Sequence, residues 1–176
     1  MFKIIYPEND ATLYEAVPDT NTGLDEILEV GKRPSVNLDS SFGLSRSLIK
    51  FDMNEVSNTL SKYNVQIDDC KFVLQLYTTH AKNLPSNYTI DANAVAQNWI
   101  NGTGTLNSST TTDDGCTWNR PETGSTSFWT GIGDNVNQPF GSNLYIAGSG
   151  KGGSWLYDQN TPTGDSGGTH HHEEFN

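Results

Sequence analysis

Hydrophobic and polar positions alternate most clearly in two stretches of the chain. In Ser45-Arg46-Ser47-Leu48-Ile49-Lys50-Phe51-Asp52-Met53, the residues Ile49, Phe51 and Met53 fall on one side of a two-residue period and Arg46, Lys50 and Asp52 on the other, with Leu48 the single misfit. In Cys70-Lys71-Phe72-Val73-Leu74-Gln75-Leu76-Tyr77, the residues Cys70, Phe72, Leu74 and Leu76 make a wholly apolar face opposite a mixed one. A strand with one face buried has this pattern. Both runs are therefore expected to be core strands, with Ile49, Phe51, Phe72, Leu74 and Leu76 forming a common core and Lys50 and Lys71 in water. Between them, Val56, Leu60 and Tyr63 share a face at helical spacing and Asn54 is placed to cap, which predicts a short helix over 54–63. Such a helix makes the two core strands antiparallel neighbours joined by a helical crossover.

Shorter extended runs flank these elements. Residues 2–6, 11–16 and 26–31 read as strands separated by the turn at Pro7-Glu8-Asn9-Asp10 and the loop at Asp19-Thr20-Asn21-Thr22-Gly23. Residues 144–147 and 154–157 read as two more, joined by a glycine-rich link. Residues 91–98, rich in Ala and Asn, fit strand and helix alike. From 100 to 133 the chain is nearly all Gly, Thr, Ser, Asn and Asp, with Trp118, Phe128 and Trp129 expected to pin that loop to the flank of the domain. Nothing repeats at a period of tens of residues, which excludes solenoids and propellers. What remains is an all-β domain of roughly eight short strands with one short helix, the expectation for a sandwich or jelly roll. It occupies 1–157, and 158–176 is a polar tail or the start of a further strand.

Composition narrows the function classes. A chain of 176 residues supports one sizeable core and not two comfortable domains. Its 34% hydrophobic and 10% aromatic content suits a thin core with long polar loops. The formal charge of -11 leaves ten scattered Lys and Arg, too few for the basic patch that nucleic acid requires. No apolar run approaches the ~20 residues of a membrane span, and the start of the chain is broken too early by Pro7 to be a secretion signal, so synthesis and assembly in a cytoplasm are expected. Cys70 and Cys116 have neither redox nor metal spacing and are expected as buried thiols.

Several motifs tempt a chemical reading. Gly164-Asp165-Ser166-Gly167-Gly168 spells the nucleophile segment of trypsin-like proteases, but His80 is the only upstream histidine and eight residues follow, too few for a specificity pocket. His170-His171-His172-Glu173-Glu174 offers ligand-type side chains, yet neighbours on an extended chain point to opposite faces and cannot all reach one ion. Asp113-Asp114-Gly115, Asp19 to Gly23 and Gly133-Asp134-Asn135 carry oxygen donors without EF-hand spacing, and turns that accept from their own backbone explain them. Asn87, Asn101 and Asn107 stand in glycosylation-acceptor patterns that matter only in a secreted chain. No catalytic residue, metal site or cofactor is therefore expected. Trp99, Trp118, Trp129 and Trp155, with Tyr145 and Tyr157, either plug the ends of a thin sandwich or, in part, stack against sugar rings.

Taken together, Asp10-Ala11-Thr12-Leu13-Tyr14, Asn21-Thr22-Gly23, Leu28-Glu29-Val30-Gly31, Arg46-Ser47-Leu48-Ile49-Lys50-Phe51-Asp52, Trp99-Ile100-Asn101-Gly102-Thr103-Gly104 and Thr117-Trp118-Asn119 resemble the DNRLRE (disaggregatase-related) β-sandwich domains. The resemblance implies an antiparallel jelly-roll-like sandwich and favours a strand over 91–98. It implies two settings: carbohydrate-binding or cell-surface modules, and, for versions rich in Asn, Gly and Thr without a signal peptide, structural proteins of tailed bacteriophages. The second is the expectation here: a virion component (capsid decoration, head fibre or tail) working through contacts with other virion proteins. The alternative is a carbohydrate-binding module taking a surface glycan on Trp99, Trp118 and Trp129. Domains of this family continue past the region seen here as Gly152-Gly153-Ser154-Trp155 into strands that close the sandwich. Closing strands are thus expected from chain beyond Asn176, from a neighbouring copy in a homo-oligomer, or from 170–175 itself.

Overall fold

The computed structural model describes residues 2–33, 43–79, 90–107, 114–130, 144–147 and 151–158, and shows a β-rich chain with one short helix. Three strands make the first sheet: β1 (Pro7–Tyr14), β2 (Gly31–Arg33) and β3 (Gly43–Phe51), in the order β1-β3-β2 and antiparallel throughout. The long β1/β3 ladder pairs Ala11 with Leu48 and Leu13 with Arg46, so these four side chains share a face. That face, with Leu44 from the same strand, carries the core, where Ala11, Leu13 and Leu48 meet Trp99, Cys116, Trp118 and Trp129 from the loops.

The strand expected over 45–53 is therefore present but turned over. Leu48, the misfit of the alternation, is its core residue, whereas Ile49 and Phe51 on the opposite side are only half-buried. Lys50 is exposed as expected. Among the described residues, the opposite side is met by the loop over 26–30 through Glu29. The Ser47 hydroxyl donates to the Glu29 carbonyl, and the Glu29 N–H donates to Thr12 Oγ1 at 3.1 Å.

The outer edge of β1 is closed by side chains. The Thr12 N–H donates to Thr22 Oγ1 at 3.0 Å while the Thr22 hydroxyl donates back to the Thr12 carbonyl at 2.6 Å, and two residues earlier the Asp10 N–H donates to Asn101 Oδ1 at 3.1 Å. A hydroxyl that donates and accepts in turn imitates a partner strand's backbone, so both outward groups of Thr12 and the outward N–H of Asp10 are satisfied by side chains.

After β3 comes helix α1 (Met53–Tyr63), with Val56 buried beneath it. The sequence places the cap at Asn54, but the carboxylate of Asp52 does this work, accepting from the Asn54 N–H at 2.8 Å. Asn64 stops the helix in the left-handed region (φ 51). A 3-10 turn, Ile67–Asp69, follows.

The chain then departs from expectation. Residues 71–79 join no β-ladder, and every one of them is exposed, Phe72, Leu74 and Leu76 included. Beside β3, β1 occupies one edge along its length and β2 the other at Gly43–Ser45, and the run over 70–77 pairs with none of these strands. Residues 2–6 and 26–30, read as strands, are likewise outside any ladder, and β1 begins at Pro7 instead. Cys70, expected in a buried strand, is half-exposed.

The second sheet pairs β4 (Leu144–Ala147) with β5 (Trp155–Asp158), close to the expected positions. Residues 94–96 run along the other side of β5. Val95 bridges Trp155, the Leu156 N–H donates to the Ala94 carbonyl, and the Ala96 N–H to that of Ser154. The extended reading of 91–98 holds at this one point, and the rest of the segment is irregular.

Candidate functional site

The aromatic residues converge, but inward. Trp99, Trp118 and Trp129 retain only 7%, 5% and 1% of their surface, so none of the three proposed glycan-stacking rings presents a face to a sugar. They are plugs of the core. Burying an indole requires a partner for its N–H, and Trp129 Nε1 donates to the Thr117 carbonyl at 2.9 Å. The segment that carries Trp129 is tied down by Thr130, whose N–H and hydroxyl both donate to Gln97 Oε1.

One aromatic grouping escapes a pattern reading. Arg46 lies on the core face of β3, where its guanidinium sits 5.1 Å from the ring centre of Trp118 and 4.6 Å from that of Trp155. Its Nη1 donates to the Gly152 carbonyl at 2.7 Å, and the Gly152 N–H donates to the Trp118 carbonyl. A cation between two indole faces is stabilised by both ring quadrupoles, the more so when partly desolvated. Burial lowers the Arg46 pKa and the Glu15 carboxylate opposes that shift; the group stays charged. Gly152 closes the arrangement at φ 70, and a Cβ there would stand 2.8 Å from the Trp118 ring, so both conformation and space demand glycine. Arg46 thereby clamps the approach to β5 onto the first sheet.

A second grouping is purely polar. Asn21 uses its whole amide: Nδ2 donates to the carbonyls of Asn101 (2.7 Å) and Cys116 (2.8 Å), while Oδ1 accepts from the N–H groups of Gly104 (2.7 Å) and Gly23 (3.3 Å). Asn101 returns the tie, donating to the Gly23 carbonyl at 2.8 Å. Gly102, at φ 80, passes so close that a Cβ would collide with the Asn21 amide. Three loops distant in sequence are pinned at this node. Nearby, Asp114 holds the backbone and hydroxyl of Thr103, Asp19 accepts from Asn119, and Asp25 accepts from the Leu106 N–H. The oxygen donors of the loop over 19–23, and Asp114, thus serve the fold. Asn101, one of the glycosylation-pattern residues, also spends its side chain here. Burial in the same node pushes the Cys116 thiol up to about 12 and makes it unreactive at neutral pH.

Among the described residues no group of three or more His, Cys, Asp or Glu is placed to hold a metal, and no helix is long and apolar enough to cross a membrane. His80, Asp113, Asp134, the Gly164 to Gly168 motif, the histidines at 170–172 and the segment 170–175 lie outside the described residues, as do the side chains of Tyr145 and Tyr157.

The remaining feature is an apolar surface. Phe2, Ile4 and Tyr6 on one segment, and Phe72, Val73, Leu74, Leu76 and Tyr77 on another, are all exposed. Scattered apolar residues on a surface require no explanation, whereas runs of them mark contact sites. Comparison with protein-family models, with curated proteins and with solved structures finds no match to this chain.

Proposed function

We propose that the chain is a non-enzymatic structural component of a bacteriophage virion, a capsid decoration, head-fibre or tail protein that works through contacts with other virion proteins. The observation that carries this reading is the pair of exposed apolar segments over 2–6 and 70–77, in a domain whose polar groups of long reach, Asn21, Asn101 and Arg46, are spent on holding loops together. Particle proteins are recognised by surface and not by chemistry at a site, and an incompletely covered sheet becomes covered on assembly. The completed domain, in this reading, is a jelly-roll-like sandwich in which β1, β3 and β2 form part of one layer.

A carbohydrate-binding module is the competing reading, and the burial of Trp99, Trp118 and Trp129 counts against it. The deciding experiment is quantitative mass spectrometry of purified particles. A fixed copy number per particle is the expected outcome, and absence from particles combined with selective glycan-array binding by the intact chain would replace this reading with the other.

A further inference from the structure

The run over 70–78 is an amphipathic strand without a sheet. Gln75 Nε2 donates to the Tyr77 hydroxyl at 2.7 Å, a contact at the two-residue spacing of the run's alternation. The apolar face of the run is exposed, and the run joins no β-ladder among the described residues. We infer that this run is the interface for a second copy of the same chain, pairing antiparallel with its own equivalent about a two-fold axis through Leu74. The inference rests on the reading of the chain as an assembly protein and specifies the contact.

Three features favour a second copy over another occupant. The first is self-complementarity. In this register Leu74 meets Leu74, Phe72 meets Leu76 and Cys70 meets Thr78, so the apolar face is opposed only by itself and the two-fold leaves no residue of the run unmatched. On the other face Val73 meets Gln75, and Lys71 meets Tyr77, a cation beside an aromatic ring. The second is charge. Two chains of net charge -11 repel, yet 70–79 contains Lys71 and no acidic residue, while Asp68 and Asp69 fall beyond the paired run at opposite ends of the ribbon. Antiparallel pairing also separates the two Lys71 side chains, which a parallel in-register pairing would set side by side.

The third is area. Phe2, Tyr6, Phe72 and Tyr77 are 84%, 77%, 56% and 83% exposed, the equivalent of about three whole aromatic side chains, or roughly 450–750 Å². With Ile4, Val73, Leu74 and Leu76 added, each chain offers close to the ~800 Å² per partner of a standard interface. A two-stranded ribbon alone is marginal, so the proposed contact also requires the 2–6 segment of each chain to pack against the ribbon on association.

The test uses the full chain in sedimentation velocity with two variants. The unmodified chain is expected to show a concentration-dependent dimer. Leu74→Asp, which sets two carboxylates against each other at the axis, should raise the dissociation constant at least about tenfold while the far-ultraviolet circular dichroism is unchanged. Leu74→Cys in a Cys70→Ser background should form a covalent dimer under oxidised glutathione, since residues directly opposite have Cβ atoms about 4.5–5.5 Å apart, and Met53→Cys in the same background should not. A chain that stays monomeric and fails to cross-link at 74 overturns the inference even if the protein is found in particles. A dimer that cross-links at Met53→Cys and not at Leu74→Cys overturns the register. Dimerisation as described with no trace of the chain in particles would instead count against the proposed function alone.

Discussion

The replacement Asn21→Ala tests whether loop pinning, and not apolar burial alone, holds this domain together. The side chain satisfies four backbone groups, two of which, the Cys116 carbonyl and the Gly104 N–H, belong to buried residues. Each buried group left without a partner costs about 1–3 kcal/mol, and the Asn101 carbonyl and Gly23 N–H, being only part-buried, cost less because water reaches them. The expected loss is about 2–5 kcal/mol, a large share of a typical domain's stability. Urea denaturation followed by tryptophan fluorescence measures it, with Asn58→Ala on the exposed face of α1 as a control expected within about 0.5 kcal/mol of the parent. Asn21→Asp adds a signed version of the test. A carboxylate there would face the carbonyls of Asn101 and Cys116, so the native state would hold the proton while the unfolded chain releases it near pH 4. The native state then binds more protons, and the penalty grows as pH rises from about 4 to 7. If Asn21→Ala costs no more than Asn58→Ala, or Asn21→Asp is as stable at pH 7 as at pH 4, the node is ornamental and the reasoning fails.

Leu13→Ala, at a position fully removed from water, should cost about 2–5 kcal/mol, whereas Leu74→Ala, measured in dilute solution, should cost no more than about 0.5, and the reverse order in denaturant melts would restore the buried-strand assignment of 70–77. Asp52→Ala should lower stability by about 1 kcal/mol and Asn54→Ala by much less, because the carboxylate at 52 is the one that caps α1; helix-monitored thermal melts distinguish the two. The Cys116 thiol ionises near 9.0 in the unfolded chain and is pushed up to about 12 in the native one, so stability should be level below pH 9 and fall progressively above it. At pH 8 a thiol reagent should label Cys70 quickly and Cys116 only on unfolding.

Local pattern was sufficient for some of the elements and insufficient for their facing. The strand at 43–51, the helix at 53–63 and the β4/β5 pair are all legible from periodicity within two residues of their ends. Facing failed on β3 because three apolar side chains, Ile49, Phe51 and Met53, outvote one, and because an arginine ordinarily marks the wet side of a strand. Arg46 instead enters the core face on the strength of two indoles and a glycine carbonyl that lie 72 to 109 positions later in the chain, and no local window contains them. The Asn21 node is hidden for the same reason: Asn-Thr-Gly reads as a loop until Asn101, Gly104 and Cys116 arrive to fill its amide. The run over 70–77 shows the opposite failure. Its alternation is real, but whether a strand partner stands beside it is a property of the whole chain and not of the run, and among the described residues it joins no ladder.

The hydroxyl of Thr22 has a consequence for how far an assembly of these chains can grow. An open strand edge is a template that reproduces itself, since each strand added presents a new edge, and such contacts propagate into fibres. Along β1 such growth would meet two side chains, Thr22, which occupies both outward backbone groups of Thr12, and Asn101, which occupies the outward N–H of Asp10. They act as a chain terminator written in side-chain chemistry. Replacing Thr22 with valine keeps the shape and removes the terminator, turning an edge that ends a sheet into one that can seed the next.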